Sequence, residues 1–226
     1  EIASCLVGSE MCIRDSRILA LTFTNKAARE MKDRISALVG PQAAHRIPMG
    51  TFHSIFLRLL RNHAELLGFK PSFSIYDTTD SRNLVKMIIK DLGLSDKDYK
   101  AATIFSCISN AKNAMLTPDE YARQYGGHDM KARRPMTAKI FQMYVDRCQM
   151  ANAMDFDDII FFMNKLLSEH PEVRQRYSEQ FRYILVDEYQ DTNYAQHLVI
   201  SQLTAPDNKL CVVGDDAQSI YSFRGA

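Results

Sequence analysis

The sequence predicts an α/β protein in which a parallel sheet is interrupted by an all-helical insertion. Two strings near the C-terminal end carry most of this reading: YILVDEYQDTN over residues 183–193 and VVGDDAQSIYSFRGA over 212–226. Each is an apolar run that stops at acidic residues. A strand apolar on both faces belongs inside a parallel sheet, and carboxylates just past its end face the crevice where such sheets bind ligands. A third observation is the long stretch from about residue 79 to 151, which shows only helical periodicity.

The elements follow in order. Residues 18–23 (ILALTF) form a strand, and Thr24 or Asn25 can cap the next helix. Ala27, Ala28, Met31, Ile35 and Leu38 make that helix's apolar face, and Gly40 and Pro41 stop it. A short strand is expected over 47–51, an amphipathic helix over 54–67 ended by Gly68, and a strand over 73–76. Within the insertion, Thr117-Pro118-Asp119-Glu120 reads as a capping box with proline at the first helical position. Strands resume over 183–186 and 209–213.

Adjacent Asp187 and Glu188 suit nucleotide chemistry. One carboxylate can hold Mg²⁺, usually through water, while the next orients and deprotonates an attacking water. A strand-end turn or a helix cap is the plainer use of such acids; Gln190 and the GDDAQ string downstream weigh against it.

These residues resemble a known family. VDEYQDTN resembles the DExQ form of the Walker B motif, and VGDDAQSIYSFRGA motif III, of the UvrD/PcrA/Rep group of superfamily 1A DNA helicases. ILALTFTNKAAREMKDRI (18–35) is similar to their motif Ia, MGTFHS (49–54) to Ib and MDFDDII (154–160) to Id. The resemblance implies a partial RecA-like (P-loop NTPase) sheet: residues 17–78 and 153–226 as two parts of domain 1A, and 79–152 as helical subdomain 1B. It implies ATP and Mg²⁺ as cofactors, with Asp187 holding the metal, Glu188 as catalytic base and Gln218 sensing the γ-phosphate; Gln190 joins the nucleotide set. It further implies single-stranded and duplex DNA as partners, 3′ to 5′ translocation coupled to hydrolysis, and further domains 2A and 2B of the same polypeptide.

The DNA-facing set implied is Phe23, Thr24, Asn25 and Lys26 of motif Ia, Thr51, Phe52 and His53 of Ib, and Tyr221 and Phe223 of III. Binding single strands without sequence preference calls for aromatic platforms beside phosphate donors, and TFTNK and TFHS interleave the two. Core packing competes for Phe23, Phe52, Tyr221 and Phe223. For Asp155, Asp157 and Asp158, an N-cap with acids favourable to the helix dipole is preferred over a metal site. Lys131, Arg133 and Arg134 read as a solvated loop, with duplex contact as the alternative, and His45, His63, His128, His170 and His197 show no ligand spacing.

No GxxxxGK[ST] string, the phosphate cradle expected of the family, occurs in the chain. Residues 1–16 read EIASCLVGSEMCIRDS, unlike the family, and residues 6–15 back-translate to CTC GTG GGC TCG GAG ATG TGT ATA AGA GAC, the end of a common sequencing adaptor. They are expected to be an artefact, with the chain an incomplete helicase fragment, inactive alone. Two alternatives remain: a non-catalytic nucleic-acid-binding module without a Walker A loop, and the helicase part of a helicase–nuclease subunit. Upstream and downstream sequence would separate them.

Composition agrees with a globular fragment: 226 residues, 46% hydrophobic, net charge +1. That charge neither demands nor excludes nucleic acid. Five cysteines without a CxxC pattern, and no apolar run of membrane-spanning length, lead to the expectation of a cytoplasmic protein with reduced thiols.

Overall fold

The computed structural model describes residues 15–215. Residues 1–14 of the adaptor-like segment 1–16 and the site candidates Gln218, Tyr221 and Phe223 therefore lie outside the described residues.

Strand β1 (Ile18–Thr22) is buried along its whole length, as a strand covered on both faces must be. Thr24 then caps α1 (Asn25–Val39), its hydroxyl accepting from the Ala27 N–H at 3.1 Å. Met31 and Ile35 are the buried side of α1; Leu38, expected on the same face, is exposed. Gly40, at φ 85°, ends the helix, and Pro41 opens a second, α2 (Pro41–Arg46), where the sequence suggests only a stop. After β2 (Met49–Thr51), helix α3 (Phe52–Arg61) is shorter than expected. A separate 3-10 turn, Ala64–Leu67, carries the remaining residues and closes on Gly68 in the left-handed conformation.

Next come β3 (Ser74–Tyr76) and four helices: α4 (Thr78–Asp91), α5 (Ala101–Asn113), α6 (Pro118–Lys131) and α7 (Thr137–Met150). The capping box expected at Thr117 forms, with Glu120 bonded back to the Thr117 N–H at 2.8 Å. A strand that periodicity does not reveal follows: β4 (Ala153–Asp155), three residues long, paired in parallel with β3. Then come α8 (Phe156–Glu169), α9 (Pro171–Gln180), β5 (Tyr183–Val186), α10 (Tyr194–Leu203) and β6 (Lys209–Val212). No helix among the described residues is long and apolar enough to cross a membrane.

Two compact units emerge: residues up to Leu59 with those from Met163 onward, and Leu60–Phe162. The second is wider than the 79–152 insertion expected from sequence. The β3–β4 pair and edge-on ring contacts of Phe69 with Phe73 (6.3 Å) and Phe162 (5.1 Å) gather its flanks.

The first unit holds a four-stranded parallel sheet of order β2-β1-β5-β6. From β1 the chain steps one way to β2, and from β5 the other way to β6. The order therefore reverses between β1 and β5, the place where open parallel sheets receive ligands. One expectation needs correcting. The apolar run ending at 213 reads as an interior strand, but β6 is an edge among the described residues, with Leu210 44% and Val212 46% exposed.

The second unit is a helical core around Ile88, Ile104, Ile140 and Tyr144, with one charged cluster buried in it. Asp155 and Asp158 cap the start of α8 reciprocally: the Asp158 N–H donates to Asp155 Oδ1 at 2.8 Å and the Asp155 N–H to Asp158 Oδ2 at 3.0 Å. Lys112 Nζ, on α5, reaches Asp155 at 2.8 Å and Asp158 at 2.7 Å, and the Tyr144 hydroxyl donates to Asp155 at 2.7 Å. These acids do cap the helix, and Lys112 is the partner that sequence could not supply. Burial pushes the Asp158 carboxyl up to about 7, whereas Lys112 holds Asp155 below its ordinary value despite burial.

Two outcomes follow from this cluster. Lys112→Met leaves two carboxylates buried without their cation and should cost about 3–5 kcal/mol in urea unfolding. The raised Asp158 holds a proton in the folded state that the unfolded chain releases near pH 4. Its contribution to stability should therefore fall as pH rises from about 4 to 7, and Asp158→Asn should remove that slope from a pH series of unfolding curves.

Candidate functional site

The site lies at the carboxyl ends of β1 and β5. Leu21 pairs with Val186, and the Asp187 N–H donates to the Leu21 carbonyl at 2.9 Å, one step past the last paired residues. This bond sets Asp187 beside Thr22. The Asp187 Oδ1 accepts from the Glu188 N–H at 3.1 Å. Partial burial raises its carboxyl above the usual range, and the Glu188 charge adds to this.

Glu188 has φ 54° and ψ 42°, the left-handed region that a residue with a Cβ enters at a cost of about 1–2 kcal/mol. Strain of this kind collects at functional sites. The turn aims the side chain back across the following 3-10 helix, Tyr189–Asp191, where Gln190 Nε2 donates to Glu188 Oε2 at 2.6 Å. The same amide's Oε1 accepts from the Asp215 N–H at 3.1 Å. Gln190 thus ties the acid to the segment after β6. Gly214 makes this possible: a Cβ there would stand 2.8 Å from Gln190 Oε1.

Two residues that sequence reasoning passed over belong here. The Thr22 hydroxyl, at the end of β1, and Asp191 Oδ1 are buried without a hydrogen-bond partner among the described residues. Burial raises the Asp191 carboxyl, with the Glu188 charge second. Position was the available signal: each ends or follows a strand next to a residue already chosen.

The second group of candidates sits at the ends of β1 and β2, where Thr22 pairs with Thr51. Thr24, Asn25 and Lys26 are exposed at the start of α1. Lys26 reaches Glu30 at 4.0 Å, a loose and solvated pair. Phe23 and His53 are half-buried. Thr51 is buried and bonded to Ser54, whose N–H donates to its hydroxyl at 3.3 Å. Phe52 is a core ring, 1% exposed and edge-on to Phe56 at 5.8 Å, so no base can stack on it; the packing alternative holds for this residue.

With this geometry in view, comparison with known proteins identifies the family. Residues 5–226 match the family model of the UvrD/REP helicase N-terminal domain. The chain belongs to that family. It is 44% identical over 210 residues to the ATP-dependent DNA helicase PcrA of Leuconostoc citreum and 45% over 219 to UvrD1 of Mycobacterium bovis, covering 93% of this chain and 28% of each relative. PcrA of Bacillus subtilis is 42% identical over 209 residues, 92% of this chain and 28% of its own length. The chain thus spans little more than a quarter of these relatives. The α/β architecture with its parallel sheet agrees with the family's RecA-like N-terminal domain.

The residues present fit Mg²⁺. Mg²⁺ takes one or two carboxylates, keeping waters and substrate phosphates for its other positions. A half-buried Asp187 just past β5, with the Thr22 hydroxyl at the end of the neighbouring strand and without a partner among the described residues, is a donor set of that kind.

The strain at Glu188 is measurable. Glu188→Gly and Glu188→Ala both lose the bond to Gln190, but only glycine enters the left-handed region freely. The glycine variant should be the more stable of the two by about 1 kcal/mol in denaturant titrations.

Proposed function

We propose that the chain is the first motor segment of an ATP-dependent DNA helicase, acting on single-stranded DNA and translocating 3′ to 5′. The observation that carries this is the acid pair Asp187–Glu188 at the β1/β5 switch point, held by Gln190. Asp187 would hold Mg²⁺, whose bound charge neutralises the phosphates. Glu188 would orient the attacking water and accept its proton, an assignment supported by the fixed turn that aims its carboxylate. Gln190 positions that carboxylate and links it to the segment entering GDDAQ, where Gln218 would sense the γ-phosphate.

The exposed Thr24, Asn25 and Lys26 at the start of α1 suit a DNA phosphate, since the N–H groups of a helix start and a cation converge there. Phe23 and His53 follow the carboxyl ends of the adjacent strands β1 and β2, and Tyr221 and Phe223 would supply stacking platforms. Phe52 is left out of this set. Domains 2A and 2B of the same polypeptide would complete the motor.

The chain by itself should show no DNA-stimulated ATPase above background, because the lysine and amides of a phosphate cradle are not among its residues. In the complete polypeptide, Glu188→Gln should leave ATP binding intact and lower turnover by about 10²–10⁴, the range for a lost general base. Phe223→Ala should instead leave DNA-independent hydrolysis and abolish unwinding. Turnover within a few-fold of wild type in Glu188→Gln would contradict the assignment of the base.

A further inference from the structure

The second unit contains a cavity of about 200 Å³ walled by α5, α6 and the turn after α6. Tyr121 and Tyr125 stack along one side, ring centroids 5.2 Å apart and planes 28° apart, and Phe141 backs Tyr121 edge-on at 6.0 Å. Asp129 also lines the cavity although it is 2% exposed. The Tyr121 hydroxyl donates to its Oδ2 at 2.9 Å, which fixes the carboxylate and leaves Oδ1 with no hydrogen bond among the described residues. Cys107, Asn110, Ala111, His128 and Arg134 complete the lining, and the Arg134 guanidinium makes no ion pair among the described residues.

We propose that this cavity is a base-recognition pocket that accepts one unstacked nucleobase whose exocyclic amine and carbonyl flank one ring nitrogen, namely cytosine or guanine. Three features select that chemistry. The aromatic side favours a flat ligand that can stack on tyrosine. The buried carboxylate calls for a donor, and an exocyclic amine is what a carboxylate reads on a base. Arg134 and Asn110 supply donors for the neighbouring carbonyl. The same residues disfavour the competitors. Arg134 opposes an alkylammonium, Asp129 opposes a phosphate or carboxylate inside the cavity, and no cluster able to hold a metal occurs among the described residues. The volume lies below the roughly 300–1,000 Å³ of sites for drug-sized ligands, which fits a single base.

The base can belong to a DNA strand or to a free nucleotide, and the pocket's chemistry is the same for both. The inference is independent of the ATP site, whose residues all lie in the first unit.

Saturation-transfer NMR on the 226-residue chain with dCMP, dGMP and dTMP tests it. Transfer to the bases of dCMP and dGMP is expected, with dTMP weaker by about tenfold, the low end of the discrimination a good base contact provides. Tyr125→Ala should weaken all binding by about tenfold while Tyr125→Phe retains it. Asp129→Asn presents an amide in place of the carboxylate and should shift preference toward dTMP. Should that variant fail to fold by circular dichroism, Arg134→Ala, at the cavity's edge, tests the same pocket through loss of dCMP and dGMP binding. Competition by oligo-dC at lower concentration than dCMP would identify a strand as the source; binding of mononucleotides alone would identify a free nucleotide. Equal transfer from all three nucleotides, or binding indifferent to Tyr125→Ala and to the Asp129 or Arg134 change, would overturn the proposal.

Discussion

The parallel pairing of β1 with β5 is the constraint on which the candidate site depends. The two strands are about 160 residues apart along the chain, and their register runs from Ile18 opposite Tyr183 to Leu21 opposite Val186. The Asp187 N–H then closes onto the Leu21 carbonyl. A slip of one residue would invert every side chain between the two faces of the sheet, and burying both faces with apolar residues does not forbid such a slip. The turn does: Asp187 and Glu188 must leave the sheet where β1 also ends, or the acids would be buried without partners.

The turn carries a cost that its surroundings offset. A non-glycine residue in the left-handed region gives up about 1–2 kcal/mol. A single side chain, Gln190, recovers part of this by bonding Glu188 and the Asp215 N–H together. Its packing against Gly214 leaves no room for a Cβ at that position. The strained residue, the amide and the glycine therefore act as one unit, and the acid's direction depends on a loop more than twenty residues later in the chain.

The helical unit solves a different problem with similar means. In its buried cluster Lys112 pairs with two carboxylates and the Tyr144 hydroxyl donates to one of them, so every charge of the cluster has a partner and α5, α7, β4 and the start of α8 meet at one point. An apolar cluster of the same volume could match it in stability, because desolvating the ions offsets most of their attraction. What the charged cluster adds is direction. Hydrogen bonds from Lys112, Tyr144 and two backbone amides define how α8 begins, which apolar contacts alone would leave freer.

Much of this was determined by sequence alone. The burial of ILALT, the cap at Thr24, the capping box at Thr117, the strand YILV and the acids after it all follow from local rules, and motifs of the helicase family run through the chain in order. Tertiary structure decided what depends on distant partners. It chose β1 as the neighbour of β5, hence Thr22 as the neighbour of Asp187, because strand order is a property of the sheet and not of any segment. It made Phe52 core while leaving Lys26 exposed, since both stand in the first turn of an amphipathic helix after a strand and only packing tells them apart. It also paired β3 with β4, a three-residue strand too short for periodicity to reveal, and gave Asp155 and Asp158 a lysine more than forty residues away, where burial makes a counter-charge necessary and only the fold can bring one.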